Sequence, residues 1–192
     1  MELRKLKDFS QVKRIYHTRM KRDFSCRELR PLFLLKHVWN REEYDCLGLY
    51  EDQDLLAYSF FSRMSGDAND NYLLDYYAVD VGHRGEGIGS YFLKCLSEKL
   101  KDAGSIIVEV EDPDYATDPA DKKLRERRLE FYLKNGLYET PIRSCVFGEH
   151  YRIIGIPTTH SLDPDELRKV YKTIYRRLLP FGLTYFFFKI TN

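Results

Sequence analysis

The chain has 192 residues, with 31 Lys and Arg against 30 Asp and Glu, which gives a formal charge of +1 and a pI near 7.6. That balance excludes a nucleic-acid binder that works by net charge alone. Hydrophobic residues make up 43% of the chain, with 15 Tyr and 12 Phe among them, ample for a packed interior and against disorder, and a domain of this size buries roughly 70% of its unfolded surface.

In chain order, Met1 to Leu6 alternates as a short strand, and Asp8 to Tyr44 reads as two helices broken near Ser25 and at Pro31. Cys46 to Tyr50 and Leu55 to Ser62 flank the acidic tetrapeptide Glu51-Asp52-Gln53-Asp54, a hairpin loop between two strands. After the loop from Gly66 to Asn71, a third strand runs from Tyr72 to Val81, so three sequential antiparallel strands are expected. From Ile88 the period lengthens: Ile88, Phe92, Leu96 and Leu100 recur at i+4, which predicts an amphipathic helix with Gly104 at its C-terminal cap. Ile106 to Val110 is a short strand, and Asp118-Pro119 opens a helix that runs to Asn135-Gly136. The remainder reads as a strand from Leu137 to Phe147, a turn at Gly148, a strand from Tyr151 to Ile156, a helix from Pro164 to Leu179 and a strand from Thr184 to Ile190. That last helix is well specified: Asp163 caps it, Glu166 completes a capping box, and Leu167, Val170, Tyr171, Ile174, Tyr175 and Leu178 form its apolar stripe. Such a stripe fits a helix that covers a core, or a substrate-side lid or dimer contact.

The segment from Arg84 to Ser90 lies between the end of a strand and the start of a helix, where unpaired backbone N–H groups meet the positive end of the helix dipole. Such a place binds anions. Gly85, Gly87 and Gly89 let a phosphate approach the backbone without a Cβ in the way. A nucleoside triphosphatase loop is excluded, because Ile88 and Gly89 follow Gly87 where Gly-Lys-Ser or Gly-Lys-Thr would be required. A dinucleotide fingerprint is disfavoured, since its third glycine falls on Ser90 and the preceding strands read as antiparallel.

The run from Ala78 to Ser90 resembles the acyl-CoA pyrophosphate motif of the GNAT superfamily of N-acyltransferases, with Arg84, Gly87 and Gly89 matching its core. Phe131 to Leu137 resembles the segment that carries the family's tyrosine, here Tyr132, and the two motifs stand in the family's order. The resemblance implies an α/β (α+β) GNAT-like acyl-CoA N-acyltransferase fold, a central, mostly antiparallel mixed sheet with helices on both faces. It covers roughly residues 1 to 156 of a single domain spanning 1–192, with the last helix and strand (157–192) as an addition. It further implies acetyl-CoA as co-substrate. The pyrophosphate then sits on Gly85, Glu86, Gly87, Ile88, Gly89 and Ser90, beside Arg84, and the pantetheine arm pairs along Tyr77, Ala78 and Val79, as an extended peptide adds to a strand edge. Arg125 departs from the pattern, where many members have Asn, and Arg128 stands where a small residue is usual.

Acyl transfer from a thioester to an amine needs a neutral amine, an acid for the departing thiolate and donors for the oxyanion. By the resemblance Tyr132 is the acid, aided by positive charge from Arg128, and a backbone N–H at Val79 faces the oxyanion; Tyr132 equally fits ordinary helix packing. For the base, alternation places Asp75, Tyr77 and Val79 on one face of their strand and Glu109 and Glu111 on one face of the next. In a GNAT-like fold Asp75 and Glu109 then meet at the thioester, with deprotonation through ordered water as the alternative. The implied activity is an acetyl-CoA-dependent N-acetyltransferase acting on a primary amine of a small molecule or peptide; the competing class is a non-catalytic acyl-CoA-binding or interaction module.

Other features are weaker. The basic run Lys122, Lys123, Arg125, Arg127 and Arg128 interleaves with Glu126 and Glu130 and reads as a solvated helix face. Phe24, Glu28 and Arg30 sit where the resemblance places an acceptor pocket. The four cysteines, at 26, 46, 95 and 145, form no Cys-x-x-Cys pair and read as reduced core thiols, and the five histidines lack metal spacing, so no metal is expected. Met1 to Lys13 carries a charge at every second or third position, unlike a secretory leader, and no run approaches the roughly 18 apolar residues of a membrane span. The expectation is a cytoplasmic monomer or homodimer that engages neither membrane nor nucleic acid.

Overall fold

Eight strands and seven α-helices follow one another in a computed structural model that describes the chain except residues 26, 27, 67, 68, 161, 180–183 and 192. Two compact units result, one of Met1–Arg63 with Leu74–Leu96 and one of Met64–Leu73 with Ser97–Asn192.

The first unit opens with β1 (Glu2–Lys5) and α1 (Phe9–Ile15), which continues through a π-helical turn (Tyr16–Met20) into α2 (Lys21–Asp23). Asp8 starts α1 with a capping box: its side chain accepts from Ser10 N–H, while Gln11 reaches back to the Asp8 N–H. After α3 (Leu32–Asn40), β2 (Tyr44–Glu51) and β3 (Asp54–Met64) form the expected hairpin, turned by Asp52 at φ 51°. Then come β4 (Asn71–Val79), a 3-10 turn (Val81–His83) and α4 (Ile88–Lys99). Strand order is β1-β2-β3-β4, with β1 and β3 both antiparallel to β2. Aromatic rings fill the sheet surface: Phe60 lies edge-on to Tyr44 and Tyr76, with centroids 6.0 and 6.3 Å away.

The second unit holds β5 (Ser105–Glu111), a 3-10 turn (Pro113–Tyr115), α5 (Pro119–Lys134), β6 (Tyr138–Val146), β7 (Glu149–Ile156), α6 (Pro164–Leu178), α7 (Thr184–Phe187) and β8 (Phe188–Thr191). Its strands run β5-β7-β6-β8, every pair antiparallel. Asp118 caps α5 through the N–H groups of Ala120 and Asp121, with Pro119 at the first helical position. Asp163 caps α6 in the same way, through Asp165 and Glu166. The apolar stripe of α6 packs as expected: Leu167, Tyr171, Ile174 and Tyr175 join Ile107, Ile142, Ile153 and Phe188 in one buried cluster.

Two expectations are corrected. Gly104 does not cap α4, which ends at Lys99; its N–H bonds to the Asp70 carbonyl at 2.8 Å, and a Cβ there would stand 2.8 Å from Asn71 Oδ1. Close approach, not a left-handed cap, requires the glycine. The predicted strand from Thr184 is a helical turn over its first four residues. That turn sends adjacent aromatics to separate partners: Phe187 stacks on Phe147 at 4.9 Å, and Phe188 is buried against Tyr175 at 4.2 Å. Cys46 is buried and free, Cys95 and Cys145 are half-buried and free, and Cys26 lies outside the described residues.

Candidate active site

At the end of β4 the chain makes the glycine-rich turn. Gly85 and Gly87 have φ of 90° and 81°, and a Cβ at either would meet nothing within 4 Å. Backbone conformation therefore demands these glycines, and the space in front of them is open. The Tyr91 N–H bonds back to the Gly87 carbonyl at 3.1 Å, so the N–H groups of Ile88, Gly89 and Ser90 precede the hydrogen-bonded ladder of α4. The Tyr77 hydroxyl donates to the Gly89 carbonyl at 2.6 Å, and its ring stacks on Phe92 at 5.4 Å.

The arginine of the motif turns back onto protein. Arg84 Nε donates to the Val79 carbonyl at 3.1 Å and its Nη2 to Asp23 at 3.3 Å. Asp23 also accepts from Tyr58 Oη at 2.9 Å and pairs with Arg22 at 3.1 Å. Asp80 accepts from the Gly82 N–H and pairs with Arg22 and Arg19. Burial works upward on the Asp80 carboxyl, and the Gly82 N–H and the two guanidiniums outweigh it, holding the group below its ordinary value. His83, beside the loop, pairs with Glu86 at 3.1 Å.

Asp75 points away from water, its side chain 1% exposed, and its Oδ2 accepts from Arg30 Nη1 at 2.8 Å and Ser62 Oγ at 2.6 Å. The neighbouring Tyr76 Oη accepts from the Arg30 N–H at 2.8 Å and donates to the Glu28 carbonyl at 3.2 Å, while Phe24 lies edge-on to its ring at 5.0 Å. The segment expected near an acceptor is thus tied to β4 by backbone and side chain together.

In the second unit Glu109, on β5, accepts at Oε1 from two phenols of α6, Tyr171 and Tyr175, the latter at 2.7 Å. Tyr171 Oη also bonds Ser144 Oγ at 2.9 Å. Glu111, two residues on, pairs with Arg128. Tyr132 is half-buried on α5, next to the ring of Phe131. Burial raises its phenol, Arg128 acts in the opposite direction, and the result is a pKa pushed up to about 12. The basic helix face holds one exception to its expected solvation: Arg125 is 5% exposed, pairs with Asp121 at 3.0 Å and Glu149 at 2.7 Å, and donates to the Asp112 carbonyl at 3.2 Å. It is a structural clamp between α5, the 3-10 turn and β7.

Sequence reasoning missed Tyr171 and Tyr175 as partners of Glu109, and Ser144 as the partner of Tyr171. A signal was present, because two tyrosines at i and i+4 inside a buried stripe each require a partner for the hydroxyl. Among the described residues, no group of His, Cys, Asp and Glu is arranged to hold a metal ion, and no helix is long and apolar enough to cross a membrane.

Residues 12–124 match the Acetyltransferase (GNAT) family. No curated protein matches the sequence closely enough to count as a relative. Among solved structures, the fold is similar to a putative GNAT-family acetyltransferase from Bacteroides thetaiotaomicron (19% identity, 97% of this chain and 98% of that one, TM-score 0.67). It is also similar to the ribosomal-protein-S18-alanine N-acetyltransferase of Escherichia coli (17%, 85% and 97%, TM-score 0.59). A third similar structure is an aminoglycoside 6'-N-acetyltransferase complexed with coenzyme A (14%, 85% and 100%, TM-score 0.58). The family match over more than half of the chain makes the protein an acyltransferase. The chain belongs to the GNAT acetyltransferase family.

Proposed function

We propose that the protein transfers the acetyl group of acetyl-CoA to a primary amine of a small molecule or peptide, with residues 1–192 acting as one catalytic domain. The observation that carries this reading is the turn at Gly85 and Gly87, whose open side and unladdered N–H groups fit a pyrophosphate. Gly85, Glu86, Gly87, Ile88, Gly89 and Ser90 hold that group, and the pantetheine arm follows Tyr77, Ala78 and Val79. Arg84 serves the turn indirectly, by bracing the Val79 carbonyl.

The neutral amine attacks the thioester carbonyl: the C–N bond forms, and the oxyanion meets the Val79 N–H. The proton shed by nitrogen passes to the Glu109 carboxylate. Collapse breaks the C–S bond, and Tyr132 hydrogen-bonds the departing thiolate. A phenol near 12 is a weaker acid than a thiol, which by analogy with cysteine lies near ~8.5, so complete transfer from Tyr132 runs uphill by roughly 5 kcal/mol. The proton that ends on sulfur is therefore the one the amine gave up, returned from Glu109 through solvent, so that amine and acetyl-CoA become amide and CoA. We assign the base to Glu109 and not to Asp75, because the Arg30 guanidinium 2.8 Å from Asp75 favours its charged form, whereas the donors to Glu109 Oε1 are neutral phenols.

The test incubates the protein with acetyl-CoA and a panel of primary amines, following thiol release and acetylated product by mass spectrometry. Stoichiometric thiol and acetyl-amine are expected. Failure to acetylate any amine, together with no thermal stabilisation by acetyl-CoA, would overturn the reading.

A further inference from the structure

The buried stripe of α6 contains a chemical choice that packing does not require. Positions 171 and 175 are 0% and 2% exposed among Ile107, Ile142, Leu167, Ile174 and Phe188, where phenylalanine would fill the same volume. A hydroxyl in such surroundings costs free energy unless it is hydrogen-bonded. Both phenols are tyrosines, four residues apart on one helix face, and both donate to the same oxygen, Oε1 of Glu109. Ser144 completes the chain by bonding Tyr171 Oη from β6. The two rings brace each other edge to face at 5.3 Å, and Phe188 stacks on Tyr175, so neither hydroxyl swings away without repacking the core. Burial and the neighbouring carboxylate push the Tyr171 phenol well above its ordinary value, so it remains a donor.

We infer that Tyr171 and Tyr175 are positioning residues for the transfer reaction: they fix Glu109 in one rotamer and one orientation, aimed at the acceptor nitrogen. This rests on the reading of Glu109 as the group that takes the amine proton. A carboxylate on a three-torsion side chain has many orientations, and two convergent donors on one oxygen leave it essentially one. α6 lies beyond residues 12–124, the part matched to the family, so the proposal gives the C-terminal addition a part in catalysis.

The experiment is a double-mutant cycle on the full chain, with Tyr171→Phe, Tyr175→Phe, Glu109→Gln and the corresponding pairs. In the wild-type background each phenylalanine is expected to lower kcat by ~10-fold or more, the scale of a lost hydrogen bond to a charged group, with KM for acetyl-CoA unchanged. In the Glu109→Gln background the same substitutions are expected to change kcat by less than ~2-fold, because the tyrosines act through the carboxylate. Equal effects in both backgrounds would overturn the proposal and reduce α6 to packing. Should Tyr171→Phe fail to fold, the Tyr175→Phe arm decides alone. The two levels separate cleanly: a wild type that acetylates no amine removes the functional reading and this proposal with it. An active wild type with Glu109→Gln at full rate removes Glu109 as base, and an active wild type with an additive cycle removes only the tyrosines' role.

Discussion

The Tyr77 hydroxyl donates to the Gly89 carbonyl at 2.6 Å, which fastens the first turn of α4 to a side chain of β4. The same tyrosine contributes its backbone to the proposed pantetheine path, so one residue couples the two halves of the donor site. Tyr77→Phe keeps the stack on Phe92 and removes only the tether. A lost neutral hydrogen bond of about 1 kcal/mol predicts a ~5-fold rise in Kd for acetyl-CoA, with kcat at saturation unchanged. Isothermal titration beside steady-state kinetics checks it; unchanged affinity would mean the tether does not shape the loop.

Gly87 combines two demands, a positive φ and an open front. Gly87→Val is therefore expected to destabilise the protein by about 1–3 kcal/mol through backbone strain and also to abolish the rise in Tm produced by acetyl-CoA. For the wild type that rise corresponds to ~2.7 kcal/mol at a hundredfold excess over Kd. Gly136→Ala supplies the control, since φ there is 88° with equally open space, so it carries strain but should retain the ligand-induced shift. If both variants keep the shift, the ligand binds elsewhere.

Tyr132 holds its proton throughout the working range, because burial pushes its pKa up to about 12. The sign follows directly: a raised pKa leaves the donor form populated below that value, so the wild-type rate should show no alkaline decline from this group up to pH 10. Tyr132→Phe should lower kcat ~10- to 10²-fold, the scale of a lost hydrogen bond to a charged group, at every pH between 6 and 10, without altering the shape of the profile. A variant that turns over like the wild type would make Tyr132 a packing residue, and a wild-type alkaline limb that disappears in the variant would contradict the high pKa.

Asp75 is predicted to act on stability. Asp75→Asn leaves the Arg30 guanidinium without this counter-charge beside a buried amide, at a cost of about 3 kcal/mol in urea denaturation. Asp75→Leu combined with Arg30→Met should recover part of that loss, because both charges of this pair are gone. Full stability in Asp75→Asn, with a large fall in kcat, would instead return Asp75 to the chemistry.

Local signals settled much of this before any tertiary contact was known. The glycines at 85, 87 and 89 ahead of an i+4 apolar stripe specify an anion-binding helix start, because positive φ and unladdered N–H groups are properties of a few consecutive residues. Asp118-Pro119 and Asp163-Pro164 mark their helices for the same reason. Short range also set the limits. Alternation showed which face of β4 carries Asp75 but not that Arg30, 45 residues away, would meet it. The sign of charge along α5 could not show that Arg125 is buried between Asp121 of its own helix and Glu149 of β7.

What the sequence determined by itself was the order of elements, their caps and the glycine turn, each governed by dihedral preference and hydrophobic period over a handful of residues. Beyond the capping aspartates, tertiary structure decided what the ionisable groups of the site do. The Tyr171 and Tyr175 hydroxyls reach Glu109 only because α6 packs its stripe onto the core that contains β5, and burial rather than the nearby arginine sets the proton affinity of Tyr132. Desolvation and hydrogen-bond partnership depend on what surrounds a group in space, and the chain supplies those surroundings from residues more than sixty positions away.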